Sequence, residues 1–241
     1  ALALTVEGKP IRGLAMLKSA KIQIAIPSIG KTMAVAQALM PPATQPAAAT
    51  TQPLEIDGGA AVALDVDHDP STHALRIQNG DFAASKVSLT CGKRAYRFVQ
   101  PIDCKIAAML LGDNAIQQVQ VTQLSGDLGG VAKIDMPSPI SVDLSSATPA
   151  ASGKIVLAGA IEKLTPLLSV IQNADPLPYT GDYTLTQTVG SRGRQISLVG
   201  DTVINKFVVL KNSQPTFTEN KLTISNDLVA DPSAHNATIN N

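Results

Sequence analysis

Tryptophan is missing from this chain of 241 residues, and three tyrosines and four phenylalanines supply all of its aromatic bulk. Membrane interfaces favour Trp and Tyr, so membrane contact is expected only through regions outside this segment. Charge is scarce and balanced, with 19 Lys and Arg against 19 Asp and Glu. No net field draws in a polyphosphate, which excludes nucleic acid as a partner. No apolar run approaches the roughly 18 residues of a membrane-spanning helix. No basic segment with a short apolar stretch and cleavage site opens the chain either. The first residues, Ala1-Leu2-Ala3-Leu4, lack an initiator Met and run straight into strand-like sequence, as expected of a piece of a longer protein.

Cysteine and histidine are also few. Cys91 and Cys104 close and open adjacent strand-like runs, Lys86 to Cys91 and Ile102 to Ile106. A cross-strand disulfide and a pair of small buried hydrophobes are both open, because register decides the Cβ separation. His68, His73 and His235 neither accompany the cysteines at zinc-ligand spacing nor stand near a nucleophile in a known order. No metal and no cofactor is expected, and no catalytic residue proposes itself.

Three short motifs imitate chemistry. Ile26-Pro27-Ser28-Ile29-Gly30-Lys31-Thr32 sits between a strand and a helix like a phosphate loop, yet Ala25 replaces the first glycine and Pro27 removes an amide donor. Ser28 and Lys31 stand one helical turn apart as in penicillin-recognising enzymes, without the Ser-Asp-Asn and Lys-Thr-Gly partners. Ser28 reads better as a helix cap. Asp65-Val66-Asp67-His68-Asp69 resembles the opening of a calcium loop, but Pro70 stands where the glycine turn belongs and no acid closes it. A solvated hairpin tip is the simpler reading.

What the chain does have is a repeat. Pro53-Leu54-Glu55-Ile56-Asp57-Gly58 lies over Pro176-Leu177-Pro178-Tyr179-Thr180-Gly181 at an offset of 123. Leu75-Arg76-Ile77 then meets Ile196-Ser197-Leu198, and Lys86 to Leu89 meets Phe207 to Leu210, at 121. Ile106 and Leu110 meet Ile224 and Leu228 at 118, and upstream Lys21 to Ala25 meets Lys154 to Ala158 at 133. The surplus in the first copy is the low-complexity loop 41–53, rich in Pro, Ala and Thr, which has no apolar face to bury. The spacing predicts two β-rich units, 1–124 and 125–241, in one continuous region.

Each unit has one grammar. In the second, Gly153 to Ala160 alternates as a half-buried strand. Thr165-Pro166 then predicts a helix start, with Leu164, Leu167, Leu168 and Ile171 on one face. Strands follow at Tyr183 to Val189, Arg194 to Val199, Phe207 to Lys211 and Lys221 to Leu228, with turns at 190–193, 200–201 and 212–215, and a last one near Asn236. In the first, a strand at Ala20 to Ile26 precedes a Ser28-capped helix through Met40, then strands near 60–67, 73–79, 86–91 and 102–110. The expected fold is mainly β, a curved antiparallel sheet with one short helix per tandem unit. A sheet of five or six strands is roughly 25 Å across, while a helix is about 10 Å wide. Apolar positions are therefore left for a ligand, another segment or the curl of the sheet: Ile22, Ile24, Leu75, Ile77, Ile155, Leu157, Tyr183, Leu185, Ile196, Leu198, Leu222 and Ile224.

The second copy resembles the AsmA-like proteins, relatives of TamB, from bacteria with two membranes. The likeness rests on Gly153-Lys154-Ile155-Val156-Leu157-Ala158-Gly159, the Leu-rich helix before Pro176-Leu177-Pro178-Tyr179, and Gly181-Asp182-Tyr183-Thr184-Leu185. Ile196 to Gly200 and Phe217 to Ile224 continue it. The resemblance implies a non-enzymatic periplasmic region, tethered to the inner membrane by a segment outside this chain. Its apolar sheet groove would carry phospholipid or another apolar ligand in outer-membrane biogenesis. A structural or adhesin-like scaffold with a self-closed core is the competing expectation.

Overall fold

The computed structural model describes residues 3–7, 19–32, 54–69, 71–112, 116–146, 148, 150–192, 195–231 and 236–240, with only the backbone described at 3–7, 192, 230–231 and 236–240. Among them are thirteen strands: β1 Ala3–Glu7, β2 Ser19–Ile26, β3 Leu54–Asp69, β4 Ala74–Cys91, β5 Arg94–Arg97, β6 Ile102–Leu111, β7 Gln118–Leu128, β8 Ala132–Asp143, β9 Ala150–Ala160, β10 Tyr179–Arg192, β11 Gln195–Lys211, β12 Gln214–Asp231 and β13 Asn236–Asn240. Helix α1, described over 29–32, follows β2, and helix α2, Ile161–Ile171, follows β9. The expected loop 41–53 and the rest of the helix expected through Met40 lie outside the described residues.

All thirteen strands join one antiparallel, curved, unclosed sheet in chain order, except that β5 pairs with β4 beside the main path. Each strand meets its sequence neighbour, so most links are hairpins and the alternation of side chains carries across the sheet in step. One cross-strand row runs Ile24, Val62, Phe82, Cys104, Gly126, Ile134, Leu157, Leu185, Thr202, Ile224. The row beside it, on the opposite face, runs Gln23, Ala63, Asp81, Lys105, Ser125, Asp135, Val156, Thr186, Asp201, Ser225. One face is predominantly apolar and the other predominantly polar across these strands.

Helix α2 is set into one end of the sheet. Ile161 and Leu164 join Ala132, Leu157, Tyr183, Ile204 and Leu222 in one apolar cluster, while Leu167 and Val170 join Ile56, Leu89, Cys91, Tyr96 and Phe98 in another. The helix thus fills the space between the β4–β5 hairpin and β10. It begins at Ile161, a full turn before the expected Thr165, with Ala160 as a cap lacking any side-chain bond and Pro166 inside. Burial of Ile161 and Leu164 outweighs the missing cap and the amide that Pro166 lacks. The packed face is also rotated from the expected one. Ile161, Thr165, Ser169 and Val170 are buried, while Ile171 is half exposed. The small Thr165 and Ser169 permit close approach, and the Ser169 hydroxyl donates to the Pro166 carbonyl at 2.7 Å.

Several expected boundaries move. The expected turn at Gly200-Asp201 is the middle of β11, and the runs near 73–79 and 86–91 are both parts of β4. β7 runs through the expected unit boundary at 124, and the chain turns instead at Gly129 and Gly130, both at positive φ. β8 was not expected, because Pro137 and Pro139 argue against a strand. Its pairing with β9 is interrupted between Asp135 and Ser138 and again between Ser138 and Ser141, which is where the prolines fall. Residues 212–213 form a tight hairpin turn, Asn212 and Ser213 both at positive φ.

Candidate functional site: the apolar sheet face

The register places all twelve expected apolar positions on one face. Ile22 and Ile24 stand opposite Leu64 and Val62, Leu75 and Ile77 opposite His68 and Val66, and Leu198 opposite Val189 and Leu228. They do not all do the same thing there. Tyr183 is 7% exposed and, with Leu157 and Leu222, belongs to the core beneath α2. Leu75 at 38% and Ile224 at 53% are open to solvent. Residues the sequence reading left out complete the face, including Val62, Leu64, Phe82, Ile106, Val121 and Ile134. The signal of Val62, Leu64 and Ile134 was present as alternation in β3 and β8, but Gly58-Gly59 and Pro137 with Pro139 interrupt its phase.

The face is wide. Ten strands at about 4.8 Å spacing put Ile24 and Ile224 roughly 40 Å apart across it, and one helix covers about a quarter of that width.

Polar groups on that face are satisfied locally. Gln187 and Asn226 exchange two amide hydrogen bonds, 2.7 and 3.2 Å, across β11. Gly200 lies between them, opposite both in the register, and a Cβ there would come within 2.9 Å of the Gln187 side chain. Each amide thereby uses one of its two N–H donors and its oxygen on the other. Tyr183 is different: its buried hydroxyl has no hydrogen-bond partner among the described residues, and burial raises its pKa. Tyr183→Phe is expected to be neutral or to stabilise by about 1 kcal/mol, since it removes a desolvated hydroxyl; a melting temperature several degrees lower in scanning calorimetry would mean that the hydroxyl is bonded.

The imitation motifs resolve into structural roles. Ser28 caps α1, accepting from the Lys31 amide at 3.3 Å and donating to Asp57 at 3.2 Å. Asp67 accepts from Gln78, Asp65 accepts from Asn79 at 3.4 Å and faces Lys21 at 3.9 Å, and Asp69 accepts from the Ser71 amide and hydroxyl at 2.9 and 2.6 Å. Those carboxylates belong to the polar side and the tip of the β3–β4 hairpin. Among the described residues no three His, Cys, Asp or Glu side chains gather as a metal site. The two Ser71 bonds hold Asp69 at about 2, below the usual carboxylate value. A lowered folded pKa means that the turn is favoured above pH 3.8 and loses that support as pH falls toward 2. A carboxyl NMR titration is expected to place the Asp69 midpoint near 2, and a midpoint at 3.8 would mean an open turn.

Cys91 and Cys104 are not joined to each other. Cys104 is opposite Phe82 on β4, nine residues from Cys91, a separation of roughly 30 Å along the strand. Burial, and then the neighbouring Asp103 carboxylate, raise the Cys104 thiol pKa, which makes it a poor nucleophile. No helix among the described residues is long and apolar enough to cross a membrane. No family model, no curated protein and no solved structure matches this chain.

Proposed function

We propose that the chain is a non-enzymatic scaffold whose apolar sheet face holds the acyl chains of a phospholipid or a similar amphiphile, in the manner implied by its resemblance to the AsmA-like proteins. The observation that carries this reading is the division of the sheet into a largely apolar and a largely polar face across ten strands, with helix α2 set into one end. An apolar side about 40 Å wide is larger than the patches that soluble monomers ordinarily leave bare. An open apolar side suits the chemistry of extended acyl chains better than a compact pocket would. A periplasmic location, with any tether outside the chain, belongs to the same proposal. The test is native mass spectrometry of protein purified without detergent, with dye binding to apolar surface as a second readout. Lipid adducts and dye displaced by added phospholipid are expected; a protein that is consistently empty, stable and indifferent to the dye refutes the proposal.

The scaffold is further proposed to be two diverged copies of one unit. Support comes from a paired irregularity in each half. Gly58 and Gly181, 123 residues apart, have φ of 135° and 140° and each interrupts its strand's register. Opposite them, Lys86 and Lys206 have φ of 55° and 51°, uncommon for a residue with a side chain. Ser85 pairs with Gly59 just as Asn205 pairs with Asp182, and Ser88 with Asp57 as Val208 with Thr180. This geometry equates Lys86 with Lys206 at an offset of 120, one less than sequence alignment gives for that strand. The helix between β2 and β3 and the helix between β9 and β10 then correspond, as do the β4–β5 and β11–β12 hairpins. The division between copies falls at the turn 129–131 rather than at residue 124.

A further inference from the structure

A cleft of about 690 Å³ opens where the start of α1 meets the bulge between β3 and β4 and the β4–β5 hairpin. Three cations border it, each from a different element: Lys31 from α1, Lys86 from β4 and Arg97 from β5. All three are exposed, and among the described residues none of them forms an ion pair. The carboxylate that borders the cleft, Asp57, accepts from the Ser28 hydroxyl at 3.2 Å. Glu55, opposite Thr90, is the next along β3, so the cations outnumber both. Like charges gathered in one cleft repel unless an anion sits among them. Lys86 reaches this place because of the bulge. Ser85 stands opposite Gly59 and Ser88 opposite Asp57, so Lys86 and Val87 together stand against Gly58 alone. Such an extra residue re-aims its side chain. Val87 is buried at 6% exposure, and Lys86, at a φ of 55°, is left outside beside Ser88. The sheet does not need a basic surface here. On the equivalence of halves proposed above, Lys206 repeats Lys86, but Val208 and Thr218 pair where Ser88 and Arg97 pair in the first half.

We propose that this cleft binds the phosphate group of a phosphate ester. Arg97 presents a guanidinium fork that matches two phosphate oxygens, and Lys31 and Lys86 add point charges. Ser88, flanked by Asp57 and Arg97 in the register, adds a hydroxyl at the wall. The group is held by side chains from three elements and not by the loop amides of a phosphate loop. The volume falls within the roughly 300 to 1,000 Å³ of small-molecule sites, more than a bare phosphate fills, so the organic part of the ester has room beside it. Tyr96 borders the cleft and also packs with Leu89 and Val170 beneath α2, so the cleft meets the apolar cluster at β5. A soluble phosphate ester and the headgroup of a phospholipid offer the same chemistry here. The site stands on its charges, independently of acyl chains on the apolar face.

Calorimetric titration of the whole chain with glycerol phosphate tests this, with glycerol as the uncharged control and flotation with phosphatidylglycerol vesicles as a second arm. Binding of glycerol phosphate but not of glycerol is expected, weakening as salt is added. Arg97→Gln and Lys86→Gln should each weaken it roughly tenfold, while Lys221→Gln, on β12 in the second half, should not change it. Urea midpoints verify the fold of each variant, and Lys86→Gly, which suits the positive φ, takes the place of Lys86→Gln should the bulge distort. Vesicle binding without glycerol phosphate binding, with the same dependence on Arg97 and Lys86, assigns the cleft to a lipid headgroup; binding of both probes assigns it to the phosphate whatever its carrier. No binding of either probe, or binding indifferent to Arg97 and Lys86, overturns the proposal. Dye binding to the apolar face should be the same in wild type and variants, which separates failure of this site from failure of the lipid reading.

Discussion

Aspartate at Ile77 and Leu198 together is expected to reduce binding of phospholipid or of an apolar-surface dye roughly tenfold or more, by placing a carboxylate where acyl chains would lie. Both residues stand on the apolar face, one in β4 between Val66 and Ala108, the other in β11 between Val189 and Leu228. Both are half-buried, so without ligand the new carboxylates turn toward water. The stability cost should stay near 1 to 2 kcal/mol per site, the loss of part of one aliphatic side chain's burial. The matched control is Ser125→Asp with Thr186→Asp, in the neighbouring row on the polar face. Dye titration and native mass spectrometry read both pairs. Equal binding by the two pairs would mean that the apolar face carries no ligand.

The second large effect is on stability. Gly58→Val and Gly181→Val are each expected to cost about 3 kcal/mol, because valine is forced into a backbone conformation that β-branched residues avoid. Space is short as well. A Cβ at Gly58 would lie 2.9 Å from the Val87 Cα and 3.1 Å from the Ser85 carbonyl, and one at Gly181 2.9 Å from the Asn205 carbonyl and 3.1 Å from that of Lys206. These neighbours are main-chain atoms, which cannot swing aside. Urea unfolding followed by circular dichroism measures each loss. Similar losses are expected for the two variants, since the same device occupies both halves; a loss under 1 kcal/mol at either site would show that the bulge relaxes around a side chain.

How much of this was legible in the residues follows from which forces are local. Alternation in Ser19–Ile26 and in Ala150–Ala160 fixed those strands, because period two is written one residue at a time. The apolar positions fell on one face for the same reason. Strand lengths were not legible. β11 passes Gly200 without turning, since the glycine makes room for the Thr186 carbonyl and the Gln187 amide rather than for a bend. That use depends on residues 14 and 13 positions upstream. The start of α2 was missed because it is set by tertiary burial of Ile161, which overrides the local signal of Thr165-Pro166. The two cysteines looked like neighbours because they close and open adjacent runs. The long β4 and the separate β5 leave Cys91 at one end of β4, while Cys104 faces its middle at Phe82.

The chain-order arrangement of strands also bears on how the sheet is made. Because each strand finds its partner in the segment next to it, most pairings need only a short loop to close, and the average sequence distance between contacting residues stays low for so large a β structure. Folding can then start at any tight hairpin, such as the one closed by Asn212 and Ser213, and zip outward in both directions. A nascent polypeptide leaving the ribosome or a translocation pore would add one hairpin at a time to a growing edge. It would never hold an early strand waiting for a late one.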